Sequence, residues 1–216
     1  MAEGPEDRSL TSLRQGTTDA RAVEAYYDTW AEGYDATLAA WHYRAPEEAA
    51  DLLAPHLGAG VRVLDVGCGT GLLAQALRRR SAELALDGLD ISSASLARAR
   101  DRGLYRRLLQ HDLQKLPLPM ADDAYDVAAT VGVLTYIADA GALLRDLCRA
   151  VRSGGAIAFT QRTDLWQARG FERMIAGLEG AGLWRCDHVG APMPYLPGNA
   201  EFAGEIGVIH TLCRVT

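Results

Sequence analysis

The stretch Val61-Arg-Val-Leu-Asp-Val-Gly-Cys-Gly-Thr-Gly71 constrains this chain more than any other. Val61, Val63, Leu64 and Val66 form a short apolar run of the kind buried on both faces of a parallel sheet. Gly67, Gly69 and Gly71 then turn the chain, and Leu72 to Arg80 reads as the helix that follows. A glycine turn lets a ligand approach the backbone, because no Cβ stands in the way. A second strand over 84–90 ends on an acidic residue, in Leu86-Asp-Gly-Leu-Asp90. There Asp90 is placed to accept hydrogen bonds from ribose hydroxyls. Together the two features predict a site for an adenosine-containing ligand.

The details of the turn narrow the ligand. A dinucleotide fingerprint reads G-x-G-x-x-G and leaves a helix N-terminus free for pyrophosphate. Here the spacing is G-x-G-x-G, and a carboxylate, Asp65, sits in the leading strand. Asp65 would repel a pyrophosphate, yet suits the ammonium of an amino-acid-like ligand, directly or through water. S-adenosylmethionine carries that ammonium and no phosphate. Val63 to Gly71 resembles the first motif of the class I S-adenosylmethionine-dependent methyltransferases.

Further segments carry the resemblance. Gln110-His-Asp-Leu113 is similar to the family's acidic site beside adenine, and Thr130-Val-Gly-Val-Leu134 to the segment beneath the methionine moiety. Tyr27-Asp-Thr-Trp-Ala-Glu-Gly-Tyr-Asp35, Tyr43-Arg-Ala-Pro46, Gly103-Leu-Tyr105 and Leu178 to Trp184 resemble the Williams–Beuren-region methyltransferase-like proteins, over roughly residues 23–190. The resemblance implies S-adenosylmethionine as cofactor, contacted by Asp65, Gly67, Cys68, Gly69, Thr70 and Gly71, by Asp90 and Ile91, by Asp112 and Leu113, and by Val131. It also implies that Tyr34 packs on the cofactor and that Arg44 meets its carboxylate.

Strands alternating with helices imply a doubly wound α/β sheet. Further strands are expected at 105–110, 126–133, 156–160 and 183–189, with a last one over 205–215; helices are expected at 143–151 and 171–181. Residues 190–204 hold Pro192, Pro194 and Pro197 and no helical pattern. A loop joins antiparallel strands, whereas parallel neighbours need a crossover helix, so the last strand is expected to run antiparallel. The expected fold is therefore a seven-stranded, mostly parallel, Rossmann-like methyltransferase sheet with an antiparallel last strand and an N-terminal helical lid. Residues 1–18 read as a disordered arm, 19–216 as one domain, and 19–57 as lid helices.

Composition sets the remaining bounds. A net charge of −6 argues against a nucleic-acid partner, and no apolar run approaches the ~20 residues that span a bilayer. The polar, acidic opening reads as no signal peptide. The four cysteines are scattered without metal-ligand spacing, which fits a reducing cytoplasm. No metal is expected.

Methyl transfer from a sulfonium uses an electrophile already activated by its charge. No motif announces a general base. His42, His188, His210, Tyr195 and Glu205 are candidates by residue type alone, and Arg162 suits an acceptor carboxylate or a salt bridge. The expected function is methyl transfer to a small-molecule acceptor; a cofactor-binding scaffold without catalysis and a protein methyltransferase are the alternatives. An NAD-dependent dehydrogenase is disfavoured by the glycine spacing and by the missing Ser/Tyr/Lys relay.

Overall fold

The glycine turn sits at the centre of the sheet. The computed structural model describes residues 12–202 and 204–216. Eight strands form one sheet among these residues: β1 (Arg62–Val66), β2 (Ala85–Asp90), β3 (Arg107–Gln110), β4 (Tyr125–Thr130), β5 (Val151–Arg162), β6 (Trp184–Val189), β7 (Met193–Pro194) and β8 (Gly207–Val215). Seven are ordered β3-β2-β1-β4-β5-β8-β6, and the two-residue β7 pairs with β8. The pairs from β3 through β5 are parallel. β8 is antiparallel to both β5 and β6 and lies between them, as the proline-rich connection predicts. The chain order reverses between β1 and β4, so β1 and β4 open the crevice where sheets of this type take ligands.

Eight α-helices flank the sheet: α1 (Ala20–Trp30), α2 (Tyr34–Ala40), α3 (Ala45–Leu53), α4 (Leu72–Arg80), α5 (Ser93–Asp101), α6 (Ala140–Ala150), α7 (Thr163–Ala168) and α8 (Phe171–Gly180). Their ends follow local chemistry. Asp19 caps α1 by accepting the amides of Arg21 and Ala22, Pro46 sits in the first turn of α3, and Ser92 caps α5 through the amide of Ser95. Arg78, Arg79 and Arg80 end α4, where cations meet the negative end of the helix dipole.

Alternation along the strands splits the core in two. Leu64, Val66, Ala128, Ile157 and Phe159 face α6 and α8, whereas Val63, Val127, Ala129 and Ala158 face α3 and α4. A third cluster joins Val23 and Leu38 of the N-terminal helices to Tyr136, Leu196, Phe202 and Ile206. The N-terminal helices and the 190–204 segment thus meet over the carboxyl ends of the strands.

Several details of the structure differ from expectation. Residues 1–11 of the expected arm lie outside the described residues, but 12–18 are held: Leu13 is buried, Ser12 and Arg14 bond to Glu201, and Arg162 donates to the carbonyls of Leu13 and Arg14. β5 starts at Val151 rather than 156, because Val151 pairs with Tyr125 before a bulge whose Gly155 fits tightly against the Asp126 carbonyl. α7 follows β5 without a sequence signal, and β7 interrupts the expected loop. β3 and β4 are each shorter than expected, at four and six residues.

Candidate functional site

Two adjoining cavities, of about 680 and 350 Å³ with their mouths, open at the strand ends and share Tyr34, Gly67, Gly69 and Val131. The larger is walled by Asp90, Ile91, Asp112 and Leu113 on one side, by Val131 to Val133 and Tyr136 on the other, and roofed by Val23 and Tyr27 of α1. The smaller is lined by Tyr34, Tyr43, Asp65, Cys68 and Thr70.

The glycine turn shapes the floor. Gly67, Gly69 and Gly71 all have positive φ, of +73°, +52° and +91°. A Cβ on Gly67 would collide with Val133, whereas one on Gly69 would meet nothing within 4 Å and would stand in the cavity. The turn is therefore a cradle that leaves space for a ligand against the backbone.

Asp90 is 9% exposed and held on both oxygens: Gly69 N–H donates to Oδ2 at 2.7 Å and Ser92 N–H to Oδ1 at 2.8 Å. A carboxylate accepts about four hydrogen bonds, so acceptor capacity remains for ligand hydroxyls. Burial raises its pKa to about 6, against the amides of Ser92, Gly69 and Ile91 that favour the anion. Asp65 is 1% exposed and accepts from the Tyr105 hydroxyl at 2.6 Å; burial lifts its pKa to about 7. Asp112 accepts from the Gln114 amide at 3.0 Å.

Asp65, Asp90 and Asp112 line the two cavities, and no lysine, arginine or histidine does so among the described residues. This set of acceptors fits a ligand with hydroxyls and positive charge, and it opposes a pyrophosphate.

Of the residues singled out from sequence, Tyr34, Asp65, Gly67, Cys68, Gly69, Thr70, Asp90, Ile91, Asp112, Leu113 and Val131 all line these cavities. Two do not. Arg44 is 72% exposed at the start of α3 and pairs with Glu48 at 3.5 Å, so the structure does not bring it to the cavity. Gly71 lines neither cavity; it lies against Tyr105 and Arg102 at the entry to α4.

The candidate bases also separate. His42 and His188 are exposed, and Glu205 is exposed and paired with Arg14. His210 is buried against Glu48 at 3.1 Å, away from the cavities, where burial depresses its pKa. Arg162 is spent on Asp164 and on the carbonyls of Leu13 and Arg14. Tyr195 lines neither cavity but packs beside the site in a cluster of tyrosines, half-buried except for the buried Tyr136. Its ring packs edge-on against Tyr43 at 5.7 Å, and Tyr27 packs against Tyr34 and Tyr136 at 6.0 and 5.7 Å. Burial pushes all five phenols above their usual range, Tyr195 to about 12, so they are protonated hydrogen-bonding groups and not bases at neutral pH.

Two residues escaped the sequence reading. Asp28 accepts from Ser92 Oγ at 2.7 Å, and Asp35 from Thr70 Oγ1 at 2.6 Å. Their one signal is that both lie inside the aromatic segment Tyr27–Asp35.

The comparisons agree with this geometry. Residues 64–159 match the family model described as a methyltransferase domain. The chain is 34% identical over 189 residues to methyltransferase-like protein 27 of Homo sapiens, covering 83% of this chain and 75% of that protein. It is 35% identical over 142 residues to the malonyl-[acyl-carrier protein] O-methyltransferase of Pseudescherichia vulneris, covering 65% of this chain but only 53% of that protein. The fold is shared with the crystal structure of an S-adenosylmethionine-dependent methyltransferase from Mesorhizobium loti, with a TM-score of 0.59 and 22% identity over 76% of this chain and 96% of that one.

Proposed function

The chain belongs to the class I S-adenosylmethionine-dependent methyltransferases, and from that premise we propose that it methylates a small organic acceptor held under its aromatic lid. The observation that carries the proposal is the pair of adjoining cavities lined by three carboxylates and by protonated tyrosines.

S-adenosylmethionine is the family's cofactor and supplies, when bound, a methyl group on a positively charged sulfur. Within this reading, Asp90 accepts from the ribose hydroxyls while Gly69 and Ser92 keep its carboxylate in place. Asp112, with Ile91 and Leu113 as apolar walls, takes the adenine. Asp65 and the carbonyls around Val131 and Gly132 favour the ammonium. Gly132 lets the Tyr43 hydroxyl approach this backbone, since a Cβ on it would stand 2.8 Å from that oxygen. Tyr34, Tyr43, Tyr136 and Tyr195 wall the acceptor end, orient the acceptor through their hydroxyls, and exclude water. None of them removes a proton at neutral pH, so the acceptor atom enters with a free lone pair or loses its proton to solvent.

The aromatic lining of the cavities supports a small molecule over a protein substrate. The malonyl-[acyl-carrier protein] relative is named as an O-methyltransferase, which supports oxygen as the methylated atom. We read 19–216 as one domain with 19–57 as its lid. The four cysteines, free in the structure, support a cytosolic setting.

Incubating purified protein with methyl-labelled S-adenosylmethionine and a metabolite pool tests the function. Label in a small-molecule product supports it. Label only in protein, or cofactor binding without any transfer, points to one of the two alternatives and rejects it.

A further inference from the structure

The N-terminal lid carries two carboxylates that reach the ribose-side machinery from opposite ends. Asp28 of α1 accepts from Ser92 Oγ at 2.7 Å and from the Ala94 amide at 3.0 Å. Ser92 in turn presents its own amide to Asp90 Oδ1 at 2.8 Å and caps α5 through Ser95. Asp35 of α2 accepts from Thr70 Oγ1 at 2.6 Å and pairs with Arg102, whose Nε donates to the Thr70 carbonyl at 2.6 Å. The residue before Thr70 is Gly69, whose amide donates to Asp90 Oδ2 at 2.7 Å. The Gly69 and Ser92 amides, one on each Asp90 oxygen, therefore belong to segments gripped by a lid carboxylate, in the sequence Asp28–Ser92–Asp90–Gly69–Thr70–Asp35.

A lid could be pinned to the domain at many places, and apolar packing through Val23 and Leu38 already holds this one. Asp28 lies close enough to Asp90 for their charges to repel, a cost accepted in place of a neutral side chain. Its return is positional: a buried carboxylate with an undisturbed amide on each oxygen is preorganised for the hydroxyls it is to bind.

We propose that Asp28 and Asp35 are positioning residues that bracket Asp90 and couple lid docking to cofactor binding. The proposal rests on the cofactor site described under the proposed function. Because coupling free energy is reciprocal, an ordered lid raises cofactor affinity and bound cofactor holds the lid shut to the same degree.

Calorimetry with S-adenosylhomocysteine, in a double-mutant cycle with Asp90, provides the test. Asp28→Ala and Asp35→Ala are each expected to weaken binding about fivefold to tenfold. Asp28→Asn keeps an acceptor for Ser92 and Ala94 and is expected to stay within about twofold of wild type. In an Asp90→Ala background, Asp28→Ala should add less than about twofold, because the group it positions is gone. Losses that persist in full in that background, or single variants that bind like wild type, overturn the bracket. Amide exchange on the wild-type protein gives a second arm that needs no variant: ligand should protect residues 20–40 together with the Gly69 and Ser92 amides. Protection of those two amides without the lid contradicts the coupling. A wild-type protein that binds no S-adenosylhomocysteine rejects the function itself, whereas binding with additive losses rejects only the bracket.

Discussion

Tyr105 donates its hydroxyl to Asp65 at 2.6 Å inside the sheet's central crevice, and burial holds the Asp65 proton up to a pKa of about 7. An unfolded aspartate titrates near 3.8, so between pH ~4 and 7 the folded chain binds more protons than the unfolded one. The stability Asp65 contributes is therefore complete below pH ~4 and is lost as the pH rises through about 7. Asp65→Asn keeps an acceptor for Tyr105 and has no proton to lose. Its thermal midpoint, measured from pH 5 to 8, should fall less steeply than that of the wild type. Parallel profiles would contradict the assignment of a buried, proton-retaining Asp65.

Gly67 and Gly69 make a contrasting pair. At Gly67 an added Cβ meets Val133 as well as a φ of +73°, so Gly67→Ala should cost about 2–4 kcal/mol of folding stability. At Gly69 the added methyl meets only open cavity, so Gly69→Ala should cost about 1–2 kcal/mol, the strain of its positive φ. Its main effect should be on cofactor affinity, lowered roughly tenfold or more by a methyl in the ligand's space. Denaturant melts and titrations of both variants check the split, and Gly69→Ala with unchanged affinity would show that the cradle holds no ligand.

Tyr195 reaches the tyrosine cluster from the segment before β8, packing on Tyr43 and Phe202. It lines neither of the two cavities directly but packs on Tyr43, which does, and the proposed function assigns it to the acceptor end. Tyr195→Ala is expected to lower turnover about tenfold or more through a misplaced acceptor. Cofactor affinity should change less than about twofold, the signature of an acceptor-side loss. Equal losses in both, or full turnover, would move the acceptor elsewhere.

How much of this was legible follows from the range of each signal. Val63 to Gly71 and the strand ending at Asp90 are local patterns, and the structure places Asp65, Gly67, Cys68, Gly69, Thr70 and Asp90 from them on the cavities. The antiparallel β8 was legible because three prolines forbid a crossover helix in the segment before it. Arg44 was assigned through the family resemblance alone, and in the structure it is exposed beside Glu48, one helical turn on, and lines neither cavity. Asp28 and Asp35 were missed because their partners, Ser92 and Thr70, lie 64 and 35 residues away, a separation that no periodicity reports. The held segment 12–18 escaped for the same reason, since its carbonyls are bonded by Arg162 from far along the chain.

The central claim is that Asp90 and the glycine turn hold an adenosyl sulfonium cofactor. Calorimetric titration of wild type and Asp90→Ala with S-adenosylmethionine, and of wild type with NAD, tests it most directly. The account predicts binding on the order of micromolar for wild type and little affinity for NAD. It also predicts a loss of about 1–3 kcal/mol in Asp90→Ala, from the missing charge-assisted hydrogen bonds to ribose. Equal binding by wild type and variant, or a preference for NAD, would contradict it.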